Sequence, residues 1–555
     1  MEREDITGYP SIDKPWLKYY DISPEDVIIP NVSLYGYIYE NNIDNLDDVA
    51  LNYYHRRITY KQLFENIDNF VLKFSKLGIA KGDIVSISCI TTPEMLYSFF
   101  ALNRIGAIVN MIDPRIGSAG IKNRINENKS EYLITLDIFN TKLNELIRNT
   151  TIRCVIESLQ FNGGVHNGSE FSRKRDESKC KIDDVFPNDP ACIVYTGGTT
   201  GSTKAVVLSN RNFVAMAVQY SKLKVNMKRK DTFLSIIPPF FPYGICVSTY
   251  VPIALGLETI IVPKFDISIF SKIMMEYRPN HITGVPRYWE EFMKAIANKR
   301  VNLSFIKSAG CGGDGMNAEL ERRINKFLEE HGSSSKIMKG YGMTEVSAAA
   351  VTCTSNCNEI GSVGIPLVCN TVSIFNVETG KEISYFEDKA GEICIVSPCT
   401  MLGYRNNDEA TNKLIRIHED GLKWVHTGDC GRIDRDGKLY IECRYKRIIL
   451  RRGQTIYPNS IEDVIMQSNY VESVAVVAMK HPDLVNVPVA CITVKEEYKG
   501  RFDIIQKDLQ ERCKEVLPEY SLPYEYRVLD FMPYTAAGKI DFKTIERIIN
   551  SEEDR

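Results

Sequence analysis

The sequence predicts an α/β protein with more than one folding unit, and three observations lead to this fold class. From about residue 60, helical patterns alternate with short β-branched runs such as DIVSISCI, EYLITL and ACIVYTGG. Such alternation is typical of βαβ units that share a mostly parallel sheet. The chain has 555 residues, which is more than one ordinary core accommodates. The patterning also changes twice, near residue 360 and near residue 446.

Short strands separated by turns follow residue 360, for example GSVGIP, GEICIVSP and RIDRDGKLYI. In the last of these, Asp436 and Gly437 form a two-residue hairpin signal. We therefore expect a small β-subdomain. After Lys446 the pattern mixes helix and strand again, as in SIEDVIMQS and VESVAVVAM, and predicts a compact α+β unit. The predicted domains are 1–445 and 446–555.

The composition is that of a soluble globular protein, with 44% hydrophobic and 25% charged residues. The formal net charge of −3 gives no electrostatic reason to expect nucleic-acid binding. The chain begins with MEREDITGYP, which lacks the basic and apolar regions of a signal peptide. Its most apolar long stretch, 245–263, is interrupted by polar residues and a proline. We therefore expect a cytoplasmic protein without a membrane span.

The 15 cysteines are scattered and include no C-x-x-C pair. This spacing argues against a disulfide framework and against a zinc site. Cys353 and Cys357 form the closest pair, but they have no histidine nearby and are interpreted as reduced bystanders. His281 and His426 are interpreted as structural rather than catalytic residues.

Residues 195–210, YTGGTTGSTKAVVLSN, lead from an apolar strand into a loop of glycines, hydroxyl residues and one lysine. The Walker A pattern G-x-x-x-x-G-K-[ST] does not match, because Lys204 lies between Thr203 and Ala205. The free amides and hydroxyls nevertheless suit anionic oxygens, and ligands of parallel sheets gather at the carboxyl ends of strands. We therefore interpret the loop as phosphate-binding rather than as a surface turn.

Five further segments follow this loop in order: PPFFPYG, GYGMTE, HTGDCGRID, RYKRIILRRGQTIYPNSIE and PYTAAGKID. Together the six segments resemble the motifs of the ANL superfamily of adenylate-forming enzymes, which includes acyl- and aryl-CoA ligases, adenylation domains and luciferases. The resemblance covers nearly the whole chain. It implies a large N-terminal domain of doubly wound mixed sheets with a small β-barrel-like subdomain, plus a small mobile α+β C-terminal domain.

The resemblance implies a two-step reaction that uses ATP, Mg²⁺ and CoA. A carboxylate first reacts with ATP to give an acyl-adenylate and pyrophosphate, and a thiol then takes the acyl group. The resemblance assigns six residues of the loop to the β- and γ-phosphates: Thr196, Gly197, Gly198, Thr199, Thr200 and Lys204. The loop departs from the usual pattern of the family at Gly197, Thr203 and Ala205.

Two segments are assigned to adenine by the same resemblance. In GYGMTE, Tyr341 offers an aromatic face to the base, and Gly340 precedes it as part of the nucleotide site. In CGGD, Gly312 and Gly313 resemble the stretch in which small residues let the backbone approach the purine edge.

Four polar residues are assigned to the rest of the nucleotide and its metal. Thr344 offers a hydroxyl to the α-phosphate, and Glu345 offers a hard oxygen to Mg²⁺. Asp429 accepts both ribose hydroxyls, and Arg444 approaches the same sugar.

The resemblance makes Lys539, in PYTAAGKID, the main catalytic residue of adenylation. A fixed positive charge is needed where the phosphoryl oxygens gain negative charge in the transition state. Lys446 matches the hinge position of the family, at which the small domain pivots between the two reactions. Gly453 and Lys264 are assigned to CoA, as a close-approach point and as a partner of its phosphates.

The acid is predicted from PPFFPYG and from the small apolar strip VSAAAV. Phe241 stands where many relatives have histidine, and Phe241 and Tyr243 are predicted to line the acid site. An amino acid is disfavoured, and a fatty or aromatic acid is favoured. The leading prediction is a carboxylate–CoA ligase. The alternatives are an acyl-AMP ligase that loads the phosphopantetheine of a carrier protein, a nucleotide-binding pseudoenzyme and, more remotely, a luciferase-like oxygenase.

Overall fold

The structure is a computed structural model that describes residues 6–136, 147–158, 165–168, 185–196, 203–263, 265–297, 299–451, 454–534 and 539–552. The α-helices are α1 Pro10–Asp13, α2 Leu34–Asn42, α3 Tyr60–Lys76, α4 Pro93–Ile105, α5 Ser118–Asn128, α6 Asn210–Ser221, α7 Val251–Ala254, α8 Phe270–Tyr277, α9 Pro286–Ile296, α10 Ala318–Glu330, α11 Asp408–Leu414, α12 Pro458–Ile465, α13 Phe502–Val516 and α14 Phe542–Glu552. A π-helix, Tyr243–Tyr250, leads directly into α7.

The strands up to residue 366 are β1 Val49–Tyr53, β2 Arg56–Thr59, β3 Ile84–Ser88, β4 Ile108–Met111, β5 Tyr132–Leu136, β6 Cys154–Ser158, β7 Val165–Gly168, β8 Pro190–Tyr195, β9 Ala205–Ser209, β10 Thr232–Ser235, β11 Glu258–Ile261, β12 His281–Gly284, β13 Ser308–Cys311, β14 Ile337–Tyr341, β15 Val351–Thr352 and β16 Ile365–Pro366. Later strands are β17 Thr371–Phe375, β18 Gly391–Val396, β19 Gly403–Tyr404, β20 Ile415–Ile417, β21 Lys423–Ile433, β22 Leu439–Arg444, β23 Ile449–Arg451, β24 Gln454–Ile456, β25 Val471–His481, β26 Val485–Val494 and β27 Glu525–Val528.

Two large mixed sheets organise the N-terminal part of the chain. One has the strand order β16-β15-β14-β13-β12-β10-β11-β1-β2, and the other has the order β19-β9-β8-β4-β3-β5-β6-β7. The central pairs of both sheets are parallel, and the edge pairs are antiparallel. This arrangement confirms the predicted α/β class with mixed sheets.

Helices cover both faces of these sheets because the apolar residues of the strands point to both sides. The largest core joins α3 and α4 to strands of both sheets through residues such as Phe74, Phe100 and Val109. A second core covers the other face of the first sheet with α8, α9 and α10, and includes Trp289 and Phe292. The structure is therefore doubly wound, as predicted.

Local sequence signals explain how these helices begin and end, and α4 is the clearest example. The Thr92 side chain accepts a hydrogen bond from the Met95 amide, Pro93 occupies the first turn, and Gly106 ends the helix at φ 82°. The proline lacks an N–H that the first turn could not have used, and the glycine tolerates the left-handed conformation. These signals direct the chain into β4, at the centre of the second sheet.

The β-subdomain is an open sheet with the order β17-β18-β21-β20, in which β22 also pairs with β21. Residues 371–444 are all described, and within them the sheet does not close into a barrel. The barrel-like closure that we predicted is therefore corrected. Closure needs long strands that tilt and pair at both edges, whereas β20 has three residues and shares β21 with β22.

A fourth sheet, β24-β23-β26-β25 with β27 on β26, uses only residues after 448 and packs against α12, α13 and α14. The boundary at Lys446 and the mobility of this unit stay predictions. Among the described residues, every helix is too short or too polar to cross a bilayer.

Candidate active site

A cavity of about 1780 Å³ opens between the N-terminal part of the chain and the fourth-sheet unit. Residues of both parts line it, so positions far apart in sequence share one space. Those predicted site residues that line the cavity are Gly313, Gly340, Tyr341, Asp429, Arg444, Lys446 and Lys539.

A carboxylate with two fixed partners stands at the wall of this cavity. Asp429 and Arg444 are register partners in β21 and β22, and Arg444 Nε lies 3.0 Å from Asp429 Oδ1. The Tyr341 hydroxyl donates to Asp429 Oδ2 at 2.8 Å. Burial raises the pKa of the Asp429 carboxyl, and the Arg444 guanidinium opposes that rise. The two partners fix the orientation of the carboxylate in the cavity wall.

Asp429 is part of a β-bulge and lines the cavity. Glu392 faces Cys430 and Cys394 faces His426, so three residues of β21 stand opposite one residue of β18. Gly428 has φ 71°, a left-handed conformation that favours glycine. Its amide donates to Glu392 Oε1 at 3.1 Å. The conformation of the bulge therefore explains why the motif HTGD has a glycine at this position. Bulges commonly redirect side chains next to active sites.

Glu345 lies in a short 3-10 turn, Thr344–Val346, directly after β14. Its side chain is buried, and Oε1 accepts a hydrogen bond from the Tyr404 hydroxyl at 2.5 Å. Burial raises the pKa of the Glu345 carboxyl, and the bond from Tyr404 opposes that rise. The Lys204 ammonium lies over the Tyr404 ring, 4.6 Å from its centroid. Tyr404 thus connects two predicted site residues that no motif joins in the sequence.

The backbone around Glu345 is unusually tight. A side-chain carbon on Gly342 would lie 1.9 Å from the carbonyl oxygen of Ala348, so this position requires glycine. Ser347 and Ala348 both have positive φ angles, 60° and 101°. Such conformations persist only where the surrounding structure holds them, and they cluster at functional sites. The turn therefore holds Glu345 in one orientation.

The base of the phosphate loop is closed by two hydrogen bonds. The Thr196 amide donates to the Lys204 carbonyl at 3.0 Å, and the Lys204 amide donates to Thr196 Oγ1 at 3.0 Å. The predicted CoA residues and the tip of the loop, Lys264, Gly453, Gly197, Gly198, Thr199 and Thr200, lie outside the described residues. The roles of these six residues stay predictions.

Tyr243, predicted to line the acid site, lies beside the two glycines predicted to contact adenine. Gly313 has φ 80°, and a side-chain carbon on Gly312 would contact the Tyr243 ring at 3.5 Å. The Tyr243 hydroxyl donates to the Gly284 carbonyl at 3.2 Å, which ties the π-helix to β12. Phe241 packs its ring against Phe240 at 5.0 Å. The segment therefore places Tyr243 directly beside the two glycines.

Lys539 belongs to the C-terminal unit but shares the electrostatic environment of the N-terminal part. Burial lowers the pKa of its ammonium group, Asp314 raises it, Arg444 lowers it and Asp429 raises it. Asp314 also lines the cavity, and burial raises the pKa of its carboxyl while Lys539 opposes the rise. We predicted no role for Asp314 or Tyr404. Asp314 could have been noticed as an acidic residue within CGGD, whereas no motif contains Tyr404.

We expect Asp314→Asn to move the alkaline limb of the adenylation rate profile to lower pH. We predict that the ammonium form of Lys539 is the active form, so the rate should be full below its pKa and should be lost as pH rises through it. Removing Asp314 removes a charge that favours the ammonium form. Initial rates of pyrophosphate release across the alkaline range test this, with Asp503→Asn on α13 as a control. An unchanged limb would contradict the coupling.

Two family models match the chain and show which family it belongs to. A model described as "AMP-binding enzyme" matches residues 40–405, more than half of the chain. The protein belongs to the AMP-binding enzyme family. A second model, "AMP-binding enzyme C-terminal domain", matches residues 460–539. This membership confirms the predicted ANL superfamily, and together with the CoA ligases described next it confirms the predicted enzyme class, an AMP-forming acid–thiol ligase.

Individual relatives of this AMP-binding enzyme match along nearly their full length. A long-chain-fatty-acid–CoA ligase of Bacillus subtilis is 26% identical over 95% of this chain and 96% of its own. The 4-coumarate–CoA ligase CCL1 of Humulus lupulus is 27% identical, again over 95% and 96%. The crystal structure of ATP-bound MatB from Rhodopseudomonas palustris has a TM-score of 0.82 at 20% identity, over 94% of this chain and 99% of that one. The last comparison confirms the predicted fold.

Proposed function

We propose that this protein is an ATP-dependent carboxylate–CoA ligase for a fatty or aromatic acid. It activates the acid as an acyl-AMP, releases pyrophosphate, and transfers the acyl group to the thiol of CoA. The observation that carries the proposal is the shared cavity, in which Lys539 of the C-terminal unit lies with Tyr341, Asp429 and Arg444. The names of the fatty-acid and 4-coumarate ligases among its relatives support the acid class and the use of CoA.

The nucleoside is bound by residues of the cavity wall. Asp429 accepts the ribose hydroxyls with a carboxylate whose orientation Tyr341 and Arg444 fix. A bidentate acceptor of this kind suits two adjacent hydroxyl donors. Adenine lies against the Tyr341 side, beside the backbone of Gly313, which also lines the cavity. ATP therefore enters with its ribose at the bulge and its phosphates toward Lys204.

Adenylation needs charge placement and no general base. The acid substrate is already ionised at neutral pH, since carboxyl groups titrate near ~4, and its oxygen attacks the α-phosphorus in line. Lys539 stabilises the negative charge that grows on the phosphoryl oxygens, and Lys204 neutralises the departing pyrophosphate. Burial of the Lys539 ammonium strengthens its effect, because charges interact more strongly away from water.

Glu345 and Thr344 fit a Mg²⁺ ion bound with the phosphates of ATP. Mg²⁺ prefers hard oxygen ligands and usually binds through one or two carboxylates together with substrate phosphates. Tyr404 holds one oxygen of Glu345, which leaves the other for the cation, and the hydroxyl of Thr344 lies in the same turn. When bound, the ion offsets the charge of the phosphates.

The acid lies beside the π-helix, against Tyr243 and Phe241. Both side chains are uncharged, so they surround the acid without a counter-ion for an ammonium group. This supports a fatty or aromatic acid over an amino acid. The acyl acceptor is CoA; a carrier-protein thiol and a pseudoenzyme are the alternatives. Retention of Lys539, Asp429 and Glu345 argues against the pseudoenzyme. We also propose a cytoplasmic location, where ATP and CoA are both available.

The decisive experiment follows pyrophosphate release by the purified protein with ATP, Mg²⁺ and a panel of fatty and aryl acids. We expect release only with particular acids, and acyl-CoA as the final product. Release of phosphate instead, or turnover that no acid changes, would contradict the ligase. Acyl-AMP that accumulates with CoA, and that only a carrier protein consumes, would favour the carrier-protein alternative.

The acid site itself is tested by Phe241→His. We expect the substitution to change the ranking of acids, because it adds a polar group at the acid site, while the KM for ATP stays nearly unchanged. Initial rates with the same panel provide the measurement, and Phe186→His, at a side chain 57% exposed, is the control. Equal loss with every acid would place Phe241 outside the acid site.

A further inference from the structure

A cluster of metal-binding side chains lies on the open sheet, behind the bulge that presents Asp429. Glu392 and Cys394 lie on one face of β18, and His426 is the register partner of Cys394 on β21. Their ligand atoms all lie within 4.8 Å of one another. The mechanism above uses none of these three side chains.

We propose that Glu392, Cys394 and His426 bind a zinc-class divalent cation, with His418 in support. The three atoms converge on one point: His426 Nδ1 lies 2.8 Å from Glu392 Oε2 and 3.5 Å from Cys394 Sγ. A single ring nitrogen exchanges a proton with only one of these neighbours, so hydrogen bonding leaves the other without a full partner. A cation engages all three.

One of the ligand separations already has the length expected in a tetrahedral zinc site. Zinc bonds measure about 2.0–2.1 Å to nitrogen, about 2.0–2.2 Å to oxygen and about 2.3 Å to sulfur. At tetrahedral angles these lengths separate the nitrogen from the sulfur by about 3.6 Å, and the nitrogen from the oxygen by about 3.4 Å. The Cys394–His426 separation already has this length, and the Glu392 oxygen needs to withdraw by about half an ångström.

The chemistry of the three groups selects the metal. A thiolate and an imidazole favour Zn²⁺ over Mg²⁺ or Ca²⁺, which prefer oxygen ligands. The thiolate of Cys394 and the carboxylate of Glu392 together balance the two positive charges, and Cys394 gives up its thiol proton to solvent. The His426 and Glu392 side chains are 9% and 14% exposed, whereas Cys394 is buried, so an ion would reach the cluster from the side of Glu392 and His426.

His418 orients the histidine ligand. Its Nε2 lies 2.9 Å from His426 Nε2, so it can accept the proton of that nitrogen while Nδ1 binds the metal. The His418 ring is itself held between Trp424 and Phe375. Zinc-bound histidines commonly have such a partner on the second ring nitrogen. His418 is therefore a positioning residue and not a ligand.

The usual sequence signal of a zinc site is a closely spaced pair of cysteines or histidines, and these three residues do not form such a pair. Here the ligands lie more than 30 residues apart in sequence, and the antiparallel pairing of β18 with β21 brings Cys394 and His426 together. Glu392 also accepts the Gly428 amide through its other oxygen. Bound metal therefore braces the bulge next to Asp429, and we expect it to raise the Tm of the protein.

The test uses chelator-treated full-length protein, without ATP and in excess Mg²⁺, titrated with Co²⁺ as a spectroscopic substitute for Zn²⁺. We expect one equivalent to bind with a thiolate-to-cobalt charge-transfer band that Zn²⁺ abolishes. Cys394→Ser should remove the band, and His426→Gln should remove tight binding. His418→Ala, at a partly exposed ring, should keep the band but weaken affinity roughly 10- to 100-fold. Cys154→Ser, at a half-buried thiol on β6, is the matched control and should bind as the parent does.

Each outcome has a definite meaning for the site. A band that survives in Cys394→Ser assigns the thiolate to another cysteine and overturns the proposal. Parental affinity in both His426→Gln and His418→Ala also overturns it, as does a parent protein that binds neither metal. Thermal unfolding of every variant, with and without Zn²⁺, separates loss of binding from loss of folding, because a folded Cys394→Ser should lose only the metal-dependent rise in Tm.

Discussion

Lys539→Ala should lower the rate of acyl-adenylate formation by about 100- to 1000-fold. In the proposed mechanism this positive charge is needed only in the transition state of the first step, and each ~1.4 kcal/mol of lost stabilisation is about tenfold in rate. Loss of one fixed group that stabilises developing negative charge typically costs about 2.7–4 kcal/mol. Single-turnover formation of acyl-AMP from ATP and the acid measures the effect directly.

The second step should survive in the same variant. When pre-formed acyl-adenylate and CoA are supplied, no phosphoryl charge develops, so Lys539→Ala should transfer the acyl group at nearly the parental rate. Lys507→Ala, at an exposed lysine on α13, is the matched control and should leave both steps unchanged. Equal loss of both steps in Lys539→Ala would mean that the lysine supports the structure rather than adenylation.

The sequence motifs named several residues that the structure brings together, because each motif is a short segment that can be recognised locally. Tyr341, Asp429 and Arg444 come from three different motifs, and the structure brings them within hydrogen-bond distance. The fold class followed from the alternation of helix and strand patterns, which local periodicity reveals. What the motifs could predict was therefore the identity of these residues and the class of the sheets that carry them.

Contacts that depend on tertiary packing could not be predicted. Tyr404 reaches Glu345 only because β19 pairs with β9 across almost 200 residues of sequence. Asp314 becomes a partner of Lys539 only when the C-terminal unit lies against the cavity. The open form of the β-subdomain likewise depends on tertiary pairing, because β20 is short and because β20 and β22 pair with different ends of β21. None of these contacts can be recognised from a short segment of the sequence.

The predicted pivot at Lys446 agrees with the contacts of the residues on either side of it. Arg444 forms an ion pair with Asp429 in the N-terminal part. Arg447 instead contacts the C-terminal unit. Its Nη2 forms an ion pair with Glu462 at 2.5 Å, and its guanidinium lies 3.6 Å from the centre of the Phe542 ring. A rotation between the two parts must therefore change the backbone between these arginines, where Lys446 sits in a 3-10 turn.

Lys446→Pro should slow transfer to CoA by roughly one to two orders of magnitude while acyl-adenylate still forms. Proline fixes φ and restricts the residue before it, which opposes a hinge rotation. Acyl-AMP should accumulate on the enzyme, and quenched-flow measurement of acyl-AMP and acyl-CoA detects this directly. Lys446→Ala, which removes the side chain but leaves the backbone free, is the control and should pass the acyl group on at close to the parental rate. If Lys446→Ala is as slow as Lys446→Pro, the side chain acts in thiolation and the pivot lies elsewhere.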